Sequence, residues 1–374
     1  RITDILEHHQ TLFRNEYALA FDHIPQEFPH REGQIEALAR TIRPALKGEK
    51  PFNCLCFGPT STGKTGSVKY LFRQLSEYSS IKPIYINCFI TNSPTAIMNT
   101  ILSKITNYAV RRKGVALDET YTMLLKIIKR RGVIPIIALD EIDALLTRKD
   151  SQETLYHLLR TYETMEKTYI GLIGIINDAF LTKEFDPRVK SVLCQEEIYY
   201  PPYSLEEIKT IIQERVKEAF LPGVLEPGVI TLTAQYAYEK DRDIRVAFET
   251  LRKAGVIAEK DARKTITVEH VKTAYQEAKH VHIKTLLDRL DDEEKEMLRT
   301  ILKQYSPNKE TTSDAVIAEM VEKHHRTPQH YRSLLRRLEW LRLVDLLELD
   351  RRGHAKEIIL RVPPDVLEQI LGPR

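Results

Sequence analysis

The sequence predicts an α/β fold: a parallel five-stranded sheet, then an all-helical domain, then three helices and a β-hairpin. Short apolar runs alternate with helical stretches over the first 200 residues, as expected for a sheet with helices on both faces. From Pro201 to Thr285 the helical periodicity continues without a strand. Three further helical stretches and two strand-like runs end the chain. We therefore expect domains at 1–200, 201–284 and 285–374.

The five predicted strands are short and apolar. The third is a continuous apolar run, which is typical of a strand buried on both faces of a parallel sheet. The strands are predicted at Asn53–Phe57, Ile84–Cys88, Ile134–Asp140, Tyr169–Ile176 and Glu196–Tyr200.

The composition is that of a soluble protein with real cores, at 42% apolar and 29% charged residues. No apolar run approaches the roughly 18 residues that span a membrane, so we expect no membrane partner. The net charge of +3 is too small to indicate nucleic acid by itself. The four cysteines lie in or beside predicted strands, without histidines at zinc spacing. We therefore expect reduced thiols and a cytoplasmic protein.

The most specific motif is the octapeptide 58–65, which matches the P-loop pattern G-x-x-x-x-G-K-[ST]. It lies between the first predicted strand and a predicted helix, so that backbone N–H groups and the positive helix end face phosphate oxygens. Lys64 is placed to reach the β- and γ-phosphates, and Thr65 to ligate Mg²⁺. A chance loop with two glycines would lack this context. The predicted cofactors are ATP or ADP and Mg²⁺, and the predicted loop contacts are Gly58, Pro59, Thr60, Ser61, Thr62, Gly63, Lys64, Thr65 and Gly66.

Two adjacent carboxylates end the third predicted strand. Asp140 is the expected outer ligand of Mg²⁺, and Glu141 is placed to polarise an attacking water. The alternative is that the two acids only cap a helix starting near Ile142. Beside the P-loop, the pair predicts an ATPase, which we expect to be slow and regulatory.

The all-helical region begins with a capping box at Ser204 and Glu207. The helix that follows is expected to reach Phe220. Further helices are predicted near Gly228–Glu239, Asp243–Lys260 and Val268–Thr285.

The C-terminal region has the element order of a winged helix, a helix-turn-helix variant. Its helices are predicted near Asp291–Gln304, Asp314–His324 and Pro328–Arg342, and its strands at Leu343–Leu349 and Glu357–Val362. From Lys323 to Lys356 there are nine Lys or Arg against four Asp or Glu, a concentration that favours phosphate binding. The alternatives are a protein-contact module or a solvated basic face. The predicted DNA contacts here are Gln329, Arg332, Arg336, Arg351, Arg352 and Lys356.

With these elements placed, the chain resembles the AAA+ replication initiators of archaea, relatives of the largest subunit of the eukaryotic origin recognition complex. The resemblance covers nearly the whole chain. It implies nucleotide contacts by Arg31, in the segment Pro29–Glu32 that lies by the adenine in this family, and by Tyr203 and Arg215. Packing alone is the alternative for Tyr203.

The resemblance also implies three catalytic positions. Asn177 matches sensor 1, which helps to orient the attacking water, and it ends a strand at the usual ligand crevice of such a sheet. Arg245 matches the sensor-2 arginine that reaches the γ-phosphate. Arg188 matches the arginine finger that acts on a neighbouring subunit's nucleotide, with an ion pair to a nearby acid as the alternative.

The chain departs from the family at two positions. Ser61 and Arg242 stand where the family commonly has Gly. Because Gly enters backbone conformations that other residues adopt at a cost, we expect these positions to affect hydrolysis and lid closure.

The family also inserts an extra helix between the second strand and the strand that ends on the acid pair, and uses it against the DNA minor groove. In this chain the stretch 91–114 occupies that place and ends on a basic triplet. A solvated loop is the alternative reading of this stretch. The triplet consists of Arg111, Arg112 and Lys113.

Together these features predict an ATP-hydrolysing replication initiator that binds double-stranded origin DNA and helps to load the replicative minichromosome maintenance helicase. Other initiator paralogues are further expected partners, and the DNA role implies that the protein is nucleoid-associated. One alternative is a hexameric DNA motor of the branch-migration type, which needs no initiator helix between Cys88 and Ile134. The other is an ATP-gated winged-helix regulator.

Overall fold

Five parallel strands form one sheet in the order β2-β3-β4-β1-β5. The computed structural model describes residues 11–108, 116–145, 149–306, 310–341, 343–348 and 356–372. Every residue of β3 and β4 is buried, as their continuous apolar sequences predict. The predicted parallel sheet is confirmed, with strand ends moved by three residues or fewer. The strands are β1 (Cys54–Phe57), β2 (Ile81–Asn87), β3 (Ile134–Asp140), β4 (Gly171–Ile176) and β5 (Glu196–Tyr199).

Helices cover both faces of this sheet. Glu32–Ile42 and Lys64–Leu75 pack on one face, and Pro94–Thr106, Leu117–Arg131 and Lys149–Leu159 pack on the other. Cys54, Cys56 and Cys88 are buried free thiols, and Cys194 is half-buried. The remaining short elements of this region are the helices Thr161–Thr164 and Pro187–Leu193 and the 3₁₀ turns Glu16–Leu19, Arg43–Lys47, Ile142–Leu145 and Ala179–Glu184.

The strand register brings the candidate site together at one edge of the sheet. Asn87 pairs with Asp140, and Asp140 with Ile175. Phe57 pairs with Ile176. The P-loop, the two acids and Asn177 therefore all follow the carboxyl ends of neighbouring parallel strands, where open α/β sheets bind ligands.

Four helices, Leu205–Ala219, Val229–Glu239, Ile244–Lys260 and Val268–Ala278, form the lid region. The predicted capping box is present, with the Ser204 side chain on the Glu207 amide and the Glu207 side chain on the Ser204 amide. The N-terminal segment packs into the core of this region, because Phe13 stacks on Phe220 with ring centroids 4.8 Å apart. Gly255 makes this approach possible, since a Cβ there would lie 2.4 Å from the Phe13 ring.

The chain divides into two units, Arg1–Ala274 and Tyr275–Arg374. The second unit has the predicted order of three helices and a hairpin, preceded by the helix Val281–Asp288 and followed by Pro364–Leu371. The three helices are Asp292–Gln304, Ser313–His324 and Pro328–Trp340, and the antiparallel hairpin is β6 (Val344–Glu348) and β7 (Lys356–Leu360).

One predicted helix needs correction, and one helix was missed. The helix expected over Val268–Thr285 is interrupted at Lys279 and His280, where no Gly or Pro marks the turn. The final helix Pro364–Leu371 was not predicted, although Pro364 occupies a first-turn position where Pro is tolerated. Among the described residues, no helix combines the length and the apolarity that crossing a bilayer requires.

Candidate functional site

The P-loop positions a buried lysine at the start of the helix Lys64–Leu75. Lys64 is 5% exposed, and its Nζ donates to the carbonyl oxygens of Gly58 (2.6 Å) and Pro59 (2.5 Å). Burial lowers the pKa of Lys64 to about 8, against the attraction of Asp140. A buried ammonium that donates to two carbonyl groups and lies near a carboxylate is suited to receive phosphate oxygens.

Glycine is required at two places in this loop. Gly58 has φ +145°, and a Cβ there would lie 2.3 Å from the Tyr200 carbonyl oxygen. Gly63 has φ +88°, and a Cβ there would lie 2.5 Å from the Tyr203 hydroxyl. The loop therefore has the tight backbone path that presents N–H groups to an anion.

A hydroxyl and a carboxylate meet where Mg²⁺ is expected. The Thr65 hydroxyl donates to Asp140 Oδ2 at 2.7 Å, and the Tyr85 hydroxyl donates to the same oxygen at 2.6 Å. Within the described part of the chain, no group of three or more His, Cys, Asp or Glu side chains forms a metal site. A pair of hard oxygen ligands instead fits Mg²⁺ that completes its shell with water and phosphates.

Glu141 is held in a defined position beside this pair. Its backbone is in the left-handed region, at φ 54°, a conformation that non-glycine residues keep mainly where the surroundings enforce it. Asn87 Nδ2 donates to Glu141 Oε2 at 3.3 Å. The orientation of the Asn87 amide is fixed because its Oδ1 accepts from the Phe89 amide at 3.0 Å. The carboxylate is thus oriented by the neighbouring strand.

Our sequence reasoning missed both Tyr85 and Asn87. They alternate along β2, so their side chains lie on one face of the strand. The available signal was a polar residue at the end of an apolar strand, a position that Asn177 shares. Asn177 itself is exposed and directly follows β4, and its role toward water stays a prediction.

Asp143 is a third acid near the pair, and it is 4% exposed. Burial raises its pKa to about 7. We assign it no separate role.

Arg31 and Tyr203 lie against the P-loop. Arg31 is 2% exposed and donates to the carbonyl oxygens of Thr62 (2.8 Å), His30 (2.7 Å) and Pro201 (2.7 Å). Its guanidinium lies 3.8 Å from the Tyr203 ring centroid. Burial raises the pKa of Tyr203 to about 12. The pair supports the loop and the start of the lid, and the adenine contacts stay predictions.

Arg215, on the helix Leu205–Ala219, contacts the N-terminal segment. Its Nη1 donates to the Ala18 carbonyl oxygen at 2.6 Å, and its guanidinium lies 4.6 Å from the Phe248 ring centroid. Burial lowers the pKa of Arg215 to about 10. Its predicted contact with the nucleotide stays a prediction.

Arg188 forms the ion pair that was the alternative to an arginine finger. It contacts Asp186 through Nε at 3.0 Å and Nη2 at 2.7 Å. Its side chain is 68% exposed, so it is accessible to a neighbouring molecule. This exposure is compatible with the arginine-finger role, which stays a prediction.

The lid approaches the P-loop through Arg245 and its surroundings. A cavity of about 390 Å³ lies between loop and lid, lined by Pro59, Thr60, Thr62, Pro202, Tyr238, Glu239, Asp241 and Arg242. Arg245 pairs with Asp243 through Nε at 2.8 Å and Nη2 at 2.6 Å. Ser61 and Arg242 both have left-handed backbones, at φ 60° and 57°. These are the positions where glycine was expected from the resemblance, and the structure shows the backbone reason.

In the second unit, Gln329, Arg332 and Arg336 are exposed on the helix Pro328–Trp340. The first turn of Asp292–Gln304 holds this helix, through Glu293 to His330 at 2.8 Å and Glu294 to Arg337 at 2.7 Å. Lys356 begins β7, and its N–H donates to the Ser313 hydroxyl at 2.9 Å. The other predicted DNA contacts, Arg111, Arg112, Lys113, Arg351 and Arg352, lie outside the described residues.

Family models and known relatives of this chain indicate the same protein family. Residues 49–177 match the AAA domain model, and residues 209–276 match the Cdc6 AAA+ ATPase-type lid domain model. The ORC1-type DNA replication protein of Pyrococcus abyssi is 34% identical, with 94% of this chain and 88% of that protein covered. ORC1-type DNA replication protein 2 of Methanosarcina mazei is 35% identical, with 80% of each chain covered.

A solved structure agrees with these relatives. The Aeropyrum pernix ORC1 protein, determined in complex with DNA, is 31% identical with a TM-score of 0.79, and the match covers 96% of each chain. The initiator interpretation is thus favoured over the DNA motor and the transcription regulator. With its P-loop, acid pair and helical lid, the chain belongs to the family of ORC1-type DNA replication proteins, which carry an AAA+ ATPase domain.

Proposed function

We propose that this chain binds double-stranded origin DNA under the control of ATP and helps to load the replicative minichromosome maintenance helicase. The observation that carries the proposal is the arrangement at the sheet edge, where Lys64, the Thr65–Asp140 pair and the oriented Glu141 surround one position. We further propose the domain limits 1–200, 201–284 and 285–374.

The residues of this edge have separate tasks. Lys64 exchanges its two carbonyl partners for phosphate oxygens, and Thr65 with Asp140 would hold Mg²⁺. Bound Mg²⁺ would neutralise charge on the phosphates. Glu141 accepts a proton from water, and Asn87 keeps its carboxylate directed.

The position of Arg188 supports a slow, regulatory turnover. This arginine is exposed and occupied by Asp186, so a finger acting on a neighbour's nucleotide must first leave that ion pair. Hydrolysis would then depend on assembly with another copy or a paralogue, as it does in ATPases and GTPases whose arginine finger comes from a second molecule.

DNA binding is supported by the exposed basic face of the second unit. Gln329, Arg332 and Arg336 lie on the third helix of a helix-turn-helix order, the element that enters the major groove in such domains. The DNA complex of the Aeropyrum pernix protein supports the same role. Arg351 and Arg352, together with the triplet Arg111, Arg112 and Lys113, complete the proposal as sequence-based predictions.

The nucleotide role is tested with two variants and a control. Lys64→Ala should abolish tight ATP binding, and Glu141→Gln should bind ATP but stall phosphate release. Glu119→Gln removes an exposed acid on the helix Leu117–Arg131 and should behave as wild type. Equal turnover by wild type and Glu141→Gln would refute the ATPase assignment.

The DNA role is tested by a salt titration. Arg332→Ala combined with Arg336→Ala should weaken duplex binding and reduce the slope of log affinity against log salt by about two. Arg263→Ala removes an exposed charge from the lid region and serves as the control. Salt-independent binding by wild type, or an unchanged slope in the double variant, would contradict the proposal.

A further inference from the structure

A direct hydrogen bond joins the P-loop to the lid. The Ser61 hydroxyl donates to Asp243 Oδ1 at 2.5 Å, across 182 positions of sequence. Asp243 is 5% exposed, so water competes little for this contact. A glycine at position 61 has no side chain to make it.

Asp243 also fixes the lid arginine. It caps the helix Ile244–Lys260 by accepting the Arg245 amide at 3.0 Å, and it binds the Nε and Nη2 edge of the same side chain. Burial raises the pKa of Asp243, but the hydrogen bonds from Arg245 and Ser61 outweigh burial and leave it lowered. Because the guanidinium is planar and held along one edge, its Nη1 side is the one left for a phosphate.

The backbone on both sides of the contact is held in unusual conformations. Ser61 lies at φ 60°, and Asp241 and Arg242 lie at φ 55° and 57° immediately before Asp243. Residues other than Gly keep such conformations when surrounding contacts enforce them. The Ser61–Asp243 bond supplies such a contact at the point where the two segments meet.

We propose that Ser61 and Asp243 form a loop–lid latch, in which Asp243 is a positioning residue for Arg245 and the bond from Ser61 slows nucleotide exchange. The latch deepens the proposed function and rests on it for the exchange step. Opening the lid breaks a hydrogen bond to a charged, buried acceptor, a kind that is stronger than a neutral one. Keeping Asp243 against the loop also keeps Arg245 directed at the end of the phosphate chain.

The first test is hydrogen exchange of the full chain prepared without nucleotide, so that it does not depend on nucleotide binding. Ser61→Ala removes the hydroxyl and keeps the left-handed strain, whereas Ser61→Gly removes both. In both variants, amide exchange over 58–66 and 242–248 should rise by about tenfold, the loss expected for one charged hydrogen bond. Arg242→Gly is the matched control, because it relieves neighbouring strain and leaves the bond in place.

The second test is nucleotide exchange. Release of a fluorescent ADP analogue should be about tenfold faster in both Ser61 variants than in wild type. Asp243→Asn keeps an acceptor for the helix cap and removes the charge that orients Arg245. It should therefore lower the preference for ATP over ADP, whereas a merely structural lesion would weaken both nucleotides alike.

The two tests distinguish a failure of the latch proposal from a failure of the proposed function. Wild-type exchange in Ser61→Ala would overturn the latch. An equal rise in Ser61→Ala, Ser61→Gly and Arg242→Gly would also overturn it, because the effect would then not depend on the Ser61–Asp243 bond. If wild type bound no nucleotide, the proposed function would fail, and hydrogen exchange would still decide the latch.

Discussion

Nucleotide affinity should fall as pH rises above 8, because of Lys64. Burial holds the pKa of this lysine at about 8, compared with its usual 10.5. Phosphate oxygens beside the ammonium favour the charged form, so binding raises the pKa. Above pH 8 the complex therefore holds more protons than the free protein, and raising the pH favours the free protein.

The magnitude follows from the same pKa. At pH 9 about ten free molecules in eleven have a neutral Lys64, so affinity should be about tenfold lower than at pH 7, or about 1.4 kcal/mol. Above about pH 7.5 the phosphates are already mostly ionised and contribute little to the slope.

The assay is calorimetric titration with ADP at several pH values, in two buffers of different ionisation enthalpy. At pH 8.5, binding should take up about three quarters of a proton. Lys64→Arg is the control, because a guanidinium stays charged throughout this range and its weaker affinity should be independent of pH. A flat wild-type profile, or an equal slope in Lys64→Arg, would refute the reasoning.

Three further outcomes follow from the geometry. Asn87→Ala should slow single-turnover phosphate release by about tenfold or more while ATP affinity is retained, because Glu141 loses its orienting amide; an unchanged rate would contradict this role. Arg31→Ala leaves one buried and two partly buried carbonyl groups without this donor and should lower the free energy of unfolding, measured by denaturant titration, by about 2 kcal/mol or more. Arg40→Ala on an exposed helix face should change it by less than about 0.5 kcal/mol. Glu294→Ala removes a capping box and a buried partner of Arg337 on the helix Pro328–Trp340. It should lower the free energy of unfolding by about 2 kcal/mol, and an unchanged melting curve would contradict this.

Much of the fold was predictable because its signals are local. The strand β3 was placed at Ile134–Asp140, as observed, since a strand buried on both faces must be apolar along its length. The P-loop was found because close backbone turns around phosphate need glycine at set spacings. Where the turn at Lys279 and His280 had no such marker, the prediction failed.

The contacts at the site were less predictable because they join distant parts of the chain. Asn87 meets Glu141 only because β2 and β3 pair in parallel, in a register that places Asn87 beside Asp140. Arg31 is buried by carbonyl groups from the P-loop and from Pro201. No local pattern distinguishes it from an exposed arginine.

The sequence by itself determined the element types, the P-loop and its acid pair, because periodicity and glycine spacing act over a few residues. Only the tertiary structure decided what those residues contact. The departure at Ser61 was visible as a missing glycine, yet its bond to Asp243 depends on the lid returning to the loop after 182 residues. That return is determined by the packing of whole helices and strands. The free energy of this packing is spread over many side chains, so no single segment of the sequence predicts it.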